Sequence, residues 1–388
     1  MYSYIFLCPN FAYMSTMREI ERGLDPVFAS VGQRVFTNSY VEELRQENLD
    51  IKRGRRKRSK TGTLNNLIPQ KGFQEQVLLC DADIKIIGGR RGGGKTWVAL
   101  YEALNYIDNP GVNMYGFRKY LDDIRRGIWR SSKELYTDFA IPTDTSFEWR
   151  FLGGKGATMT MEHLQDLKKV SDRFRGVEMA YILIEELAEH TRDNMNVLFD
   201  LLTSNRSTAG VKPRCVCTCN PVGKSNSLRK FLDWYIDPET DRVIPERSGK
   251  VRYFFKYGDS ETEIAWGNTK EEVYNNPNAR GRLDELHIST GVDWQELITS
   301  LVFIEGEYQD NQILKAADPK YMSRISARGG KSTTNDIVGI WRDIDSGTGC
   351  VSIDDMEAFF ENTERRDGFM RASADVALTG GRKAPTCC

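Results

Sequence analysis

Cysteine and histidine are scarce in this chain, neither sign of charge is in excess, and long apolar runs are missing. The sequence of 388 residues holds 8 cysteines and 3 histidines. Cysteines at that density do not make a disulfide framework. None of His163, His190 and His287 stands at zinc-ligand spacing from a cysteine pair. A reduced, cytoplasmic setting is therefore the expectation. Lys and Arg number 54 against 55 Asp and Glu, a formal net charge of −1. That balance excludes a protein that coats nucleic acid by bulk charge, while leaving room for local basic patches. No apolar run approaches the roughly 18 residues of a membrane helix. The apolar stretch Tyr4–Cys8 is too short for a signal peptide and has no basic region before it. No internal repeat is visible.

What is present is globular: 40% hydrophobic and 28% charged residues, enough for a sizeable core. At roughly 150 residues per domain, two to three domains are expected. The opening residues 1–62 read as an N-terminal extension, with a short helix expected over Ser39–Leu49. Its run KRGRRKRSK at Lys52–Lys60 carries seven basic residues in nine, either a DNA-contacting arm or a solvated linker. Residues 63–236 alternate strand and helix patterns, which favours a mostly parallel α/β sheet. Strands are expected at Ile84–Ile87, Tyr181–Ile184 and Arg214–Cys219, and a helix over Thr96–Ile107. Phe147–Phe151 and Thr158–Met161 flank GGKG as a hairpin; that lysine precedes Gly156 rather than Ser or Thr, so it is no phosphate loop. Residues 237–326 change texture, with a second hairpin around Gly258-Asp259-Ser260 and a capping pair of Asn268 and Glu271. Residues 327–370 read as linker, Gly/Ser/Thr/Asp-rich over 327–349.

The strongest motif is Gly89-Arg90-Arg91-Gly92-Gly93-Gly94-Lys95-Thr96, which fits G-x-x-x-x-G-K-[ST]. Phosphate oxygens must meet several backbone N–H groups at once, and glycine lets a loop wrap that closely. The following helix N-terminus adds partial positive charge. Lys95 is expected to bridge the β- and γ-phosphates of ATP, and the Thr96 hydroxyl to ligate Mg²⁺. Next, Tyr181–Ile184 ends in Glu185-Glu186, delivering two carboxylates to the edge where such sheets bind ligands. Glu185 is read as the acid that holds Mg²⁺ through water, and Glu186 as the one that polarises the attacking water. Aspartate is the usual residue at the first of these positions, and the extra methylene of Glu185 alters the metal geometry. Thr218-Cys219-Asn220-Pro221 closes another strand; Asn220 either senses the γ-phosphate or simply terminates the strand. Gln74 either reads an adenine edge or lies on the surface. Arg173 and Arg175 precede the acidic strand, with roles in transition-state charge, in structure or in DNA contact all open. Cys215, Cys217 and Cys219 alternate and share one strand face as small buried residues.

Taken together, GGRRGGGKT, ILIEE and TCNP, with FQEQVLLCDADI upstream and IPERSGKVRYFF, WGNTKEEV and SLVFIEGEYQDNQIL downstream, resemble the large subunit of a phage terminase. The likeness runs from about Leu67 to the end. It implies a P-loop NTPase of the ASCE type with a mostly parallel sheet flanked by helices: an ATPase core at 63–236, a small α+β lid subdomain at 237–326, and a fragment of an RNase H-like nuclease domain at 371–388. In that likeness Gln74 belongs to the adenine motif, Glu186 is the catalytic carboxylate, and Arg175 matches an arginine that in some relatives reaches a neighbouring subunit's ATP. Asp375 resembles the first metal-binding acid of the nuclease. One acid cannot hold two metals, so no cleavage by this polypeptide is expected. The implied activity is DNA-stimulated ATP hydrolysis that packages duplex DNA into a procapsid. The implied partners are double-stranded DNA, the portal protein, the small terminase subunit and further copies of the chain in a ring, in the host cytoplasm and without membrane contact. DNA contact by phosphates would be salt-sensitive, with Arg125, Arg126, Arg130, Lys168 and Lys169 as basic candidates. The alternatives are another P-loop helicase-like ATPase, or a degenerate subunit that binds ATP or DNA without turnover.

Overall fold

A computed structural model describes residues 69–138, 140–165, 173–189, 194–260, 262–327, 335 and 337–343. The Ser39–Leu49 helix, the basic run, Lys168, Lys169 and Asp375 lie outside the described residues. The first element is helix α1 (Phe73–Leu79), followed by β1 (Ile84–Gly89), α2 (Lys95–Glu102) and β2 (Asn113–Arg118). Then come α3 (Leu121–Arg126), α4 (Ile128–Tyr136), β3 (Ala140–Thr143), β4 (Glu148–Phe151), β5 (Thr158–His163) and β6 (Tyr181–Ile184). The chain continues through α5 (Asn194–Leu202), β7 (Arg214–Thr218), α6 (Ser227–Phe231), β8 (Val251–Lys256) and β9 (Ile264–Gly267). It closes with α7 (Lys270–Tyr274), α8 (Pro277–Thr290), β10 (Thr299–Gly306), α9 (Gln312–Ala317) and α10 (Tyr321–Ala327).

All of these strands join one sheet in the order β3-β4-β5-β2-β6-β7-β1-β10-β8-β9. The six from β5 to β10 in that order pair in parallel, and the antiparallel pairs lie at the two ends. The centre is parallel because its strands are apolar on both faces and need cover on both. β10 shows the alternation: Val302 and Ile304 join a core with α1, α2 and α4, while Leu301 and Phe303 join the opposite core with α5 and α6. Cys215 and Cys217 share that second face, as alternation requires, their sulfurs 3.9 Å apart. The fold is thus a mostly parallel sheet flanked by helices.

Both predicted hairpins form, as β4–β5 around the GGKG turn and as β8–β9. The β8–β9 hairpin with α7 and α8 encloses its own small core of Phe255, Ala265, Val273, Ala279, Leu283 and Ile298. The range 237–326 also contains β10, which returns to lie beside β1 in the middle of the sheet. Two local expectations shift. The cap of α7 is Thr269, whose hydroxyl accepts the Glu272 N–H at 3.2 Å, because the chain there turns one residue later than the Asn268–Glu271 spacing suggests. The helix expected over Thr96–Ile107 tightens into a 3₁₀ turn at Ala103–Tyr106.

The Gly/Ser-rich segment after α10 is not all loop. Trp341 is fully buried, edge-on to Phe303 at 5.7 Å, and its backbone N–H donates to the Asp241 carbonyl at 2.7 Å. Asp343 accepts from the Ser225 N–H at 3.1 Å and from its hydroxyl at 2.5 Å. This strap at 337–343 binds to the face opposite α2 because Trp341 fills the space between Phe303 and the loop that carries Asp241.

Candidate active site at the carboxyl edge of the sheet

Parallel pairing puts the ends of β1, β7, β6 and β2 at one edge. Ile87 is level with Thr218, Cys217 with Ile184, and Ile184 with Phe117. Each strand therefore releases its next residues into the same space: Arg90, Asn220, Glu185 with Glu186, and Arg118.

The loop between β1 and α2 needs glycine for its shape. Gly89, Gly92 and Gly94 all have positive φ, from 81° to 102°. A Cβ at Gly94 would lie 2.7 Å from Gln74 Nε2, so a larger residue there would also displace the Gln74 amide. Gln74 is thus buried beneath the loop rather than on the surface, and its Oε1 accepts the Gln70 N–H at 2.8 Å. Asn311, ahead of α9, donates to the Gly92 carbonyl at 2.7 Å, so the segment after β10 also grips the loop.

Lys95 is buried, its ammonium donating to the carbonyls of Gly89 at 2.8 Å and Arg90 at 3.0 Å and to Asn220 Oδ1 at 2.9 Å. Asn220 turns its amide N–H₂ to both carboxylate oxygens of Glu186, each at 3.1 Å. One asparagine thereby joins the lysine of the glycine loop to the second glutamate of β6. Glu186 itself takes the left-handed conformation, φ 55°, and its N–H donates to Thr218 Oγ1 at 3.1 Å. A non-glycine residue held there costs free energy that the surrounding bonds must offset.

The first glutamate lies deeper. Glu185 Oε1 accepts the Thr96 hydroxyl at 2.5 Å, and Oε2 accepts from an Arg118 guanidinium nitrogen at 3.2 Å. Burial pushes the Glu185 carboxyl above the usual carboxylate range, and the charge of Arg118 and the Thr96 hydroxyl pull against it. Arg118 also faces Glu189 at 3.5 Å. Sequence reading missed Arg118; it closes β2, which pairs with the acidic strand β6, a neighbourhood visible only once the strand order is known.

Arg175 stands exposed on the turn ahead of β6, and Arg91 is exposed at the outer side of the loop. Arg173 pairs with Glu162. Arg90 packs inward, 3.6 Å from Glu307. Close by, burial and then the charge of Glu307 raise the Glu305 carboxyl to about 7, against the pull of Arg90 and Arg242.

The donor set fits a divalent cation of the hard class. The Thr96 hydroxyl donates to Glu185 Oε1 at 2.5 Å, so two hard oxygen donors lie side by side, the kind of atoms that suit Mg²⁺ beside phosphate and water. Among the described residues, no group of three or more His, Cys, Asp or Glu could hold a metal unaided. No helix there is long and apolar enough to cross a membrane.

The family model described as "Terminase large subunit, T4likevirus-type, N-terminal" matches residues 86–348. Among solved structures, the chain is similar to the large terminase of a thermophilic bacteriophage, at 15% identity and a TM-score of 0.40, covering 68% of this chain and 49% of that one. It is similar to the large terminase ATPase domain of Thermus phage P74-26, at 9% identity and a TM-score of 0.41, covering 80% and 100%. It is also similar to a structure titled as the Phi-28 DNA packaging motor, at 15% identity and a TM-score of 0.37, covering 71% and 69%. The chain thus spans about half the length of the first of these proteins. No curated protein matches the sequence.

Proposed function

The chain belongs to the terminase large-subunit family, and from that premise we propose that it is the ATP-hydrolysing DNA translocase of a phage packaging motor. The observation that carries the reading is the bonded series Lys95–Asn220–Glu186, which ties a phosphate-binding lysine to a carboxylate able to activate water.

In this reading Gly89–Thr96 wraps the triphosphate of ATP with backbone N–H groups, and Gln74 supports the loop from below. Lys95 neutralises charge on the β- and γ-phosphates. Thr96 and Glu185 would hold Mg²⁺, which would supply neutralisation of the charge that develops on the phosphate oxygens. Glu186 orients and polarises the attacking water. Asn220 contacts both Lys95 and Glu186, and so is placed to report the γ-phosphate to the general base. Arg175, on the turn ahead of β6, is the residue proposed to reach a neighbouring subunit's nucleotide. The hairpin β8–β9 with α7 and α8 serves as the lid subdomain. Duplex DNA, the portal protein, the small terminase subunit and a ring of further copies are the proposed partners, acting in the host cytoplasm.

Phosphate release by the purified protein, with and without duplex DNA, tests this. Wild type should turn over and be stimulated by DNA. Lys95→Ala and Glu186→Gln should each lose at least about 10²-fold, the scale of a removed general base or phosphate clamp. Full turnover by Lys95→Ala would sink the site assignment. Nucleotide binding without turnover in either condition would favour the degenerate-subunit reading.

A further inference from the structure

The acid assigned to Mg²⁺ in this site is a glutamate, one rotatable bond longer than aspartate, and a longer side chain must be immobilised to direct a metal. The fold supplies that restraint from the adjacent strand. Glu185 N donates to the Phe117 carbonyl at 2.9 Å, which sets the end of β6 level with the end of β2. Arg118, the last residue of β2, then meets Glu185 Oε2 at 3.2 Å while Oε1 engages Thr96 at 2.5 Å. Glu185 is only 6% exposed, so its carboxylate has little freedom to exchange these partners for water. The second terminal nitrogen of Arg118 faces Glu189 at 3.5 Å, which fixes the plane of the guanidinium.

We propose that Arg118 is the positioning residue that lets a glutamate serve as the Mg²⁺-directing acid: it pins one carboxylate oxygen so that the other stays aimed, with the Thr96 hydroxyl, at the metal. This rests on the reading of Gly89–Thr96 as an ATP site and deepens it. Arg118 touches neither phosphate nor water in this role; it acts through Glu185, as outer partners of metal ligands do. The competing account is a tether in which Arg118 merely joins β2 to Glu189.

The test is a double-mutant cycle read by binding. A fluorescent ATP analogue is titrated with the full chain, in EDTA and across a range of Mg²⁺ concentrations. The proteins are wild type, Arg118→Met, Arg118→Lys, Glu185→Asp, Glu185→Asp/Arg118→Met and Glu189→Gln, with melting temperatures to verify folding. Arg118→Met should raise the Mg²⁺ concentration for half-maximal binding about 10-fold, the scale of a lost outer partner. Its metal-free affinity should stay within about twofold of wild type, and Arg118→Lys should recover part of the loss. In the Glu185→Asp background the same substitution should shift the Mg²⁺ requirement less than about twofold, because the shorter acid does not reach the guanidinium and does not depend on it. An equal loss in both backgrounds, an equal loss with and without Mg²⁺, or a full copy of the effect by Glu189→Gln would overturn the proposal in favour of the tether. Wild type that binds the analogue no better than Lys95→Ala at any Mg²⁺ concentration would instead overturn the ATP-site reading, and the role of Arg118 with it.

Discussion

At the scale of single residues, Asn220 and Glu305 make the sharpest claims. The Asn220 side chain bonds to both Lys95 and Glu186. Asn220→Ala takes a partner from an ammonium and from a carboxylate, yet removes no phosphate-binding backbone. It should lower the rate of phosphate release by about 10²-fold while changing nucleotide affinity by less than about fivefold. Stopped-flow phosphate release beside equilibrium binding separates the two. Glu305 carries a pH prediction. Its folded value is raised from 4.5 to about 7, chiefly by burial. Between those values the folded chain holds a proton that the unfolded chain has lost, so this group's contribution to stability is present below about 4.5 and declines as pH rises through about 7. Glu305→Gln should therefore be more stable than wild type at pH 8 relative to pH 5, by on the order of 2 kcal/mol after allowing for partial exposure. Urea melts of both proteins at the two pH values measure it.

At the scale of elements, the strap and the clasp between β1 and α2 hold the site's scaffold. The strap is anchored by a wholly buried Trp341. Trp341→Ala removes a large ring from between Phe303 and the Asp241 loop and should cost about 3–5 kcal/mol. The predicted observation is a lower urea midpoint together with easier proteolysis after α10. A midpoint equal to wild type would mean that the strap does not dock in solution. The clasp lies on the other face. Lys85, the second residue of β1, donates to Glu102 of α2 at 2.6 Å and to the Val77 carbonyl at 2.8 Å, and Arg214 approaches Glu102 at 3.7 Å. Both Lys85 and Glu102 are fully buried. Glu102→Gln leaves two buried cations with one carboxylate charge fewer and should destabilise by about 3–5 kcal/mol. Because α2 starts at Lys95, this clasp also fixes the helix that presents Lys95 and Thr96 to the edge.

At the scale of the whole molecule, the net charge of −1 is compatible with the proposed ATP-driven DNA translocase only if contact with DNA is local. Arg125, Arg126 and Arg130 are exposed on α3 and α4, directly after β2, near the edge that carries the site. If duplex DNA is gripped through phosphates there, DNA stimulation of phosphate release should fall steeply between about 50 and 200 mM salt, while the rate without DNA changes little. Replacing the three arginines by glutamine should flatten that salt dependence. Stimulation insensitive to salt would exclude phosphate contact as the coupling.

The parts of this protein that sequence alone determined are those whose physics is local. The glycine loop is legible because its positive φ values leave few residues acceptable. The strand Tyr181–Ile184 is legible because a short apolar run ending in acids has few other uses, and the hairpins are legible from their turn residues. What only the tertiary structure decided depends on which strands lie side by side. That Asn220, just past the end of β7, bonds both Lys95 and Glu186, and that Arg118 meets Glu185, follow from the order β2-β6-β7-β1, and the burial of Gln74 under Gly94 from the packing of α1; no single segment encodes them. Trp341 is the same case: in a Gly/Ser-rich stretch it reads as linker, and only the cavity beside Phe303 makes it core. Side-chain burial and ion pairing act across tens to hundreds of residues of sequence, so they come into being only when the sheet closes those distances.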